Sequence, residues 1–258
     1  MILRPLEAPA TTSDRLVDAW PVIESLERER YQQSWMITQP SHAALSGEIA
    51  ARLAPTRVPE VDAATVRAIA LHDAGWGPID AQMIVRSRAR PPEHPGSFLQ
   101  TALDDFLAAW VLSIEIAQKD NAVGGYIVSR HFYRLAENRL AHGNDKPADR
   151  KKLESFLASE AARQNTLRAK DSRTGDELER LTDVLQLCDV ISLYICAGVQ
   201  QKARLPEYFG TAATIEGRGE TYHITPPLVG PGAEFSIAAL RYPATRQESS
   251  REFLVKIE

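Results

Sequence analysis

The sequence predicts a mainly helical bundle with a small C-terminal β appendage, and three observations carry that expectation. Apolar residues recur at helical spacing from Ser41 onward, Gly and Pro punctuate short segments after Leu205, and alternation at Phe253, Val255 and Ile257 reads as strand. The expected division is a helical domain with an N-terminal extension over 1–204 and a β appendage packed on it over 205–258. With 258 residues, 44% of them apolar and 25% charged, the chain can fill one substantial core.

The first helix of the body is expected to start near Ser41, a candidate N-cap after Pro40. It carries Leu45, Ile49 and Leu53 on one stripe and ends before Pro55. A short strand from Ser34 to Thr38 precedes it. The second helix has Asp62 as its cap, runs through Val66, Ile69 and Ala70, and stops at Gly75 and Gly77-Pro78, which puts His72 and Asp73 in its last turn. A Pro-rich connection with Pro91-Pro92 and His94-Pro95-Gly96 leads to an apolar helix carrying Leu103, Phe106, Leu107, Trp110, Val111 and Ile114. A further helix spans about 123–138, weakened at Gly124-Gly125. Pro147 opens the next, with Leu153, Phe156, Leu157, Ala161 and Leu167 at helical spacing, and the last long helix covers about 176–197. Short segments at 222–225, 235–241 and 253–257 supply the expected strands.

Thirty basic against thirty-four acidic residues give a formal charge of -4, which offers no general attraction to nucleic acid or to an anionic membrane. A phosphate ligand must then be recognised locally. The N-terminal segment has no apolar run of signal-peptide length, and the most apolar later stretch, Val184 to Val199, is interrupted by Asp189, so a cytoplasmic protein is expected. Cys188 and Cys196 fall on one predicted helix, roughly 12 Å apart along its axis, beyond the reach of a disulfide. Reduced core thiols are the expected state.

Asp189 is the most informative residue. Leu185 and Leu193 lie one turn to either side on the same face, so its carboxylate is expected to be buried, where it must be paired or coordinate a metal. An arginine or a helix cap would satisfy it equally well. His42 shares the stripe of Leu45, Ile49 and Leu53; a lone histidine there is more often a satisfied core residue. His72 and Asp73 are about 100° apart on a helix and approach one cation only over the edge between them. Taken together, His42, His72, Asp73 and Asp189 make a mixed imidazole and carboxylate set that suits a divalent Mn, Fe, Ni or Zn, as one ion or two, better than Ca. A metal so held lowers the pKa of bound water, which makes hydrolysis the default chemistry.

The order His42, His72-Asp73, Asp189, with the segments AIALHDAGW and LQLCDVISL, resembles the H…HD…D signature of the HD superfamily of metal-dependent phosphohydrolases over Gln39 to Gln200. The segments ITQPSHAALSGEIA, LHDAGW and VSRHFYRL are also similar to an uncharacterised HD-like bacterial family. The resemblance implies an HD-type helical bundle and hydrolysis of a small phosphorylated molecule, a phosphomonoester or phosphodiester, through a metal-bound water. It implies catalytic roles for Asp73 and His131, the latter lying where two-metal members supply extra ligands. No lysine closely follows His72-Asp73, so Arg130 and Arg134 are the nearest candidates for substrate phosphate. His94 reads as part of a turn, Trp76 and Tyr194 as core packing, Asp183 and His142 as surface. Two alternatives stand beside the hydrolase: a catalytically silent metal- or ligand-binding regulatory protein, and an HD-fold di-iron oxygenase using His131 and His94. Homo-oligomerisation is left open.

Overall fold

The computed structural model describes residues 1–7, 16–89, 95–245 and 248–258. Pro91, Pro92 and His94 lie outside them. Strands β1 (Ile2–Pro5) and β2 (Val17–Asp18) precede helix α1 (Ala19–Arg28) and strand β3 (Ser34–Ile37). Helices α2 (Gln39–Ala50) and α3 (Ala63–Leu71), a 3-10 turn (Ala74–Trp76), α4 (Gly77–Ala89) and a second 3-10 turn (Phe98–Gln100) follow. Four long helices come next: α5 (Leu103–Asp120), α6 (Ala122–His142), α7 (Pro147–Arg168) and α8 (Gly175–Cys196). Strands β4 (Ala203–Arg204), β5 (Thr214–Arg218), β6 (Thr221–Thr225), β7 (Ala233–Tyr242) and β8 (Ser250–Ile257) complete the chain.

The strands overturn the expected helical bundle with a small C-terminal appendage. Helices hold 55% of the described residues and strands 18%, and those strands form one eight-stranded half-barrel in the order β1-β3-β7-β8-β6-β5-β4-β2. Both ends of the chain build it: β3 pairs with β7 at Trp35 and Arg241, and β2 runs parallel to β4. Periodicity is a local signal and strand pairing is not. In addition, β1 and β3 are short and almost wholly buried, so neither alternates in polarity.

On one side of the sheet, Phe235, Ile237, Phe253, Val255, Tyr222 and Ile215 join the same core as Leu185, Ile191 and Ile195 of α8. On the other side, Met1, Leu3, Met36 and Tyr242 form a smaller cluster under Met83 and Ile84 of α4. This second layer is why β3 is buried on both faces.

Helix α8 opens with a capping box between Thr174 and Glu177 and packs on α2 and α6. At its far end the Ile195 carbonyl accepts from Arg4 Nη1 at 3.1 Å and from the Tyr222 hydroxyl at 3.2 Å. A cation and a donor on the helix C-terminus complement its dipole and tie α8 to the sheet. Helix α2 is capped by Thr38, whose Oγ1 accepts the Ser41 N–H at 3.2 Å, with Pro40 in the first turn; the cap thus precedes the expected Ser41. Gly77-Pro78 opens α4 instead of ending α3, again because proline suits a first turn. Helix α1, which the periodicity reading did not anticipate, buries Ala19, Ile23 and Glu27. Glu27 accepts the Leu3 N–H at 3.0 Å and the Ser97 hydroxyl at 2.5 Å, and burial pushes its carboxyl up to about 7.

Among the described residues, no helix is long and apolar enough to cross a membrane. Both cysteines are free and buried.

Candidate metal centre

Three helices bring the polar residues together. His42 lies in the first turns of α2, His72 is the C-cap of α3, and Asp73 sits just past it, where the backbone leaves the helix at φ −115°. Asp189 is two turns from the end of α8. The approach of α2 to α3 is set by Gly47, since a Cβ there would lie 2.5 Å from the Ala70 Cβ. Gly75 lets the chain after Asp73 touch the α5 backbone at Ala109 and Ser113, and its N–H donates to Ser113 Oγ at 2.9 Å.

His42 Nε2 lies 3.1 Å from Asp73 Oδ2 and 3.5 Å from Asp189 Oδ1. His72 Nε2 lies 3.3 Å from Asp189 Oδ1 and 3.8 Å from Asp73 Oδ2. The two imidazoles meet edge to face, centroids 5.0 Å apart. Ligand atoms of His42, His72 and Asp189 all fall within 4.8 Å of one another, close enough to hold one metal ion. Asp73 is beside this trio, its carboxylate against His42.

The hydrogen bonding of His72 tests whether a cation fits. Its Nδ1 is 2.7 Å from the Ile69 carbonyl, which can only accept, so Nδ1 carries the proton and donates. Neutral His72 then presents an Nε2 lone pair to two carboxylates, and Nε2 has no hydrogen-bond partner. Lone pair facing carboxylate is repulsive unless a proton or a metal ion lies between them. Without metal the proton wins: burial pulls His72 down, but Asp73 and Asp189 outweigh it and raise His72 to about 9. Burial likewise opposes ionisation of Asp189, and the imidazoles of His72, His131 and His42 outweigh it, holding its carboxyl down to about 2. A proton or a metal ion can therefore stand between these groups, and the trio could hold one ion.

His131, on α6, is also brought to this cluster. It is 2% exposed, its Nε2 lies 3.8 Å from Asp189 Oδ2, and its ring is 5.6 Å from that of His72. Burial is the main reason that it is pushed down to about 4. Arg130 and Arg134 are placed elsewhere. Arg130 Nε lies 2.9 Å from Glu179, and Arg134 bonds Glu179 at 2.7 Å, Asp183 at 2.6 Å and Gln186 at 2.6 Å, clamping α6 to α8. Asp183 is therefore an ion-pair partner and His142 an exposed residue.

A cavity of about 670 Å³ opens onto Asp73, Asp189 and His131. Trp76, Phe98, Phe106, Trp110 and Phe132 form its apolar wall, with Trp110 stacked on Phe132 at 4.8 Å. Tyr208, from the turn after β4, closes one side and reaches Gln186 at 3.3 Å. That turn places Phe209 at φ 59°, beside Gly210 at φ 67°. Sequence reasoning missed this wall and missed Ser192, whose Oγ is 2.8 Å from His42 Nδ1. The available signal for Ser192 was its position one turn after Asp189 on the same face.

Residues 26–226 match a family described as Protein of unknown function (DUF3891). The chain belongs to the DUF3891 family. The DUF3891 match takes in His42, His72, Asp73, His131, Asp189 and Tyr208, and stops before β7 and β8. No curated protein and no solved structure matches the chain.

Proposed function

We propose that His42, His72, Asp73 and Asp189 hold a divalent transition metal, of the Mn, Fe, Ni or Zn class, and that this DUF3891 protein is a metal-dependent hydrolase of a small phosphoester. The carrying observation is His72: an imidazole locked by Ile69 whose Nε2 faces two carboxylates, 3.3 Å from Asp189 Oδ1 and 3.8 Å from Asp73 Oδ2. The likeness of the residue order to the HD phosphohydrolases supports the reaction class. When bound, such an ion supplies Lewis acidity that activates water and neutralises charge on a phosphoester.

The chain's own residues supply the rest. Ile69 and Ser192 orient the two imidazoles, and Asp73 stands at the cavity wall as a proton acceptor. His131, neutral and on the same wall, offers a second proton-transfer group. The aromatic wall gives the reacting end an apolar border. Free buried thiols support a cytoplasmic protein, and the net charge of -4 argues against general binding to nucleic acid.

One observation favours a second reading, a catalytically silent metal- or ligand-binding protein. Arg130 and Arg134 are neutralised by Glu179 and Asp183, which leaves neither free for a phosphate. Two measurements separate the readings: metal content of protein purified without chelator, and turnover of phosphomonoesters and phosphodiesters. Bound transition metal with chelator-sensitive turnover is the expected result. Metal without turnover supports the silent reading, and no metal retained after loading with Mn, Fe, Ni and Zn rejects the metal-dependent hydrolase and the silent metal-binding protein alike.

A further inference from the structure

The cavity beside the metal centre is more than an apolar void, because it carries polar groups that the protein leaves without partners. Trp76 is 1% exposed, lines the cavity, and its indole Nε1 has no hydrogen-bond partner. Gln39 is 1% exposed, lines the same cavity, and its Oε1 is likewise unpartnered. The Thr101 hydroxyl on the same wall is a third. Buried polar groups are almost always satisfied, so three unsatisfied ones around one aromatic cavity mark a place built for a ligand with matching polarity.

The surroundings restrict that ligand. Phe98, Phe106, Trp110 and Phe132 give the cavity an aromatic lining suited to a planar body. Indole Nε1 only donates and an amide oxygen only accepts, so the planar body must carry one acceptor and one donor on its edge. Among the described residues that line the cavity both arginines are paired, Arg139 with Asp145 at 2.6 Å and Arg28 with Glu24 at 2.6 Å.

We propose that this cavity is a specificity pocket for a planar heteroaromatic group, with the Trp76 indole donating to an acceptor of that group and the Gln39 amide oxygen accepting from its N–H or amino donor. The alcohol portion of the phosphoester is then heteroaromatic, and its phosphoryl end faces Asp73 and Asp189. This meaning rests on the hydrolase reading; the binding itself does not need the metal.

The test uses the full chain, as purified and again after chelator treatment, with two probes of equal shape followed by ligand-observed NMR. One is 2-quinolone, whose lactam edge carries an acceptor and a donor; the other is 2-methylnaphthalene, which has neither. A site built for paired polar groups should favour 2-quinolone by about tenfold or more, with and without metal. Trp76→Phe and Gln39→Met should each reduce that preference to about twofold while still binding 2-methylnaphthalene. If Trp76→Phe fails to fold, Gln39→Met alone decides. Equal affinity for the two probes in the parent protein, binding of neither, or a preference unchanged in the variants overturns the proposal. A quinolone preference in a protein that never retains metal would leave the pocket and remove the hydrolase; retained metal with no preference does the reverse.

Discussion

At the residue scale, His72 and Asp189 hold the centre together by mutual charge, and that arrangement is fragile to the loss of either. Asp189→Ala removes a charged ligand and leaves His72 and His42 without the carboxylate that compensates their burial, so metal retention should be lost and stability should fall by about 3–5 kcal/mol. Equal metal content in variant and parent, read by mass spectrometry, would exclude Asp189 as a ligand. Glu27 allows a separate prediction away from the metal. Its carboxyl is raised to about 7 in the folded chain from an ordinary 4.5, so the folded state holds its proton more tightly than the unfolded state does. The stability that this proton confers is full below about pH 4.5 and is lost as pH rises through 7. Glu27→Gln should flatten the fall in urea-measured stability across that window; an unchanged slope would show that Glu27 does not titrate there. His42 and Asp189 were legible from helical phase, since each is a polar group on an otherwise apolar stripe. Trp76, Gln39 and Thr101 were not, because an unsatisfied hydrogen bond is a property of neighbours that the sequence does not list side by side.

At the scale of elements, the long helices were readable because each repeats its own apolar stripe, as α5, α7 and α8 do. Their ends were less readable: Thr38 and Ser41 are both good caps, and Gly77-Pro78 suits the end of one helix as well as the start of the next. The α2–α3 contact decides whether His42 and His72 can share an ion. Gly47→Ala puts a methyl against Ala70 at 2.5 Å, which the better helix propensity of alanine cannot offset. We expect a loss of about 1–3 kcal/mol in thermal unfolding, together with weaker metal retention as the helices part. Adding Ala70→Gly should recover part of both. Additive losses in the double variant would mean that the two positions do not touch in solution.

At the scale of the whole molecule, the sheet makes the division at residue 204 a boundary in texture only, because β3 is sandwiched between β1 and β7. A truncation ending at Arg204 deprives Trp35 and Ile37 of their sheet cover and leaves β3 as an open edge. It should lack a cooperative unfolding transition, which calorimetry would show; an intact transition would restore the 205–258 segment to the status of an appendage. The pairing of Trp35 with Arg241 also has a kinetic consequence. Helices such as α5 and α8 need only near neighbours and form within microseconds, whereas β3 finds β7 only by closing a loop that spans almost the whole chain. Refolding should therefore show early recovery of helical circular dichroism and late recovery of the Trp35 environment. During synthesis, the β3 edge waits for the last strands to emerge, an interval in which a neighbouring nascent chain can occupy the place meant for β7.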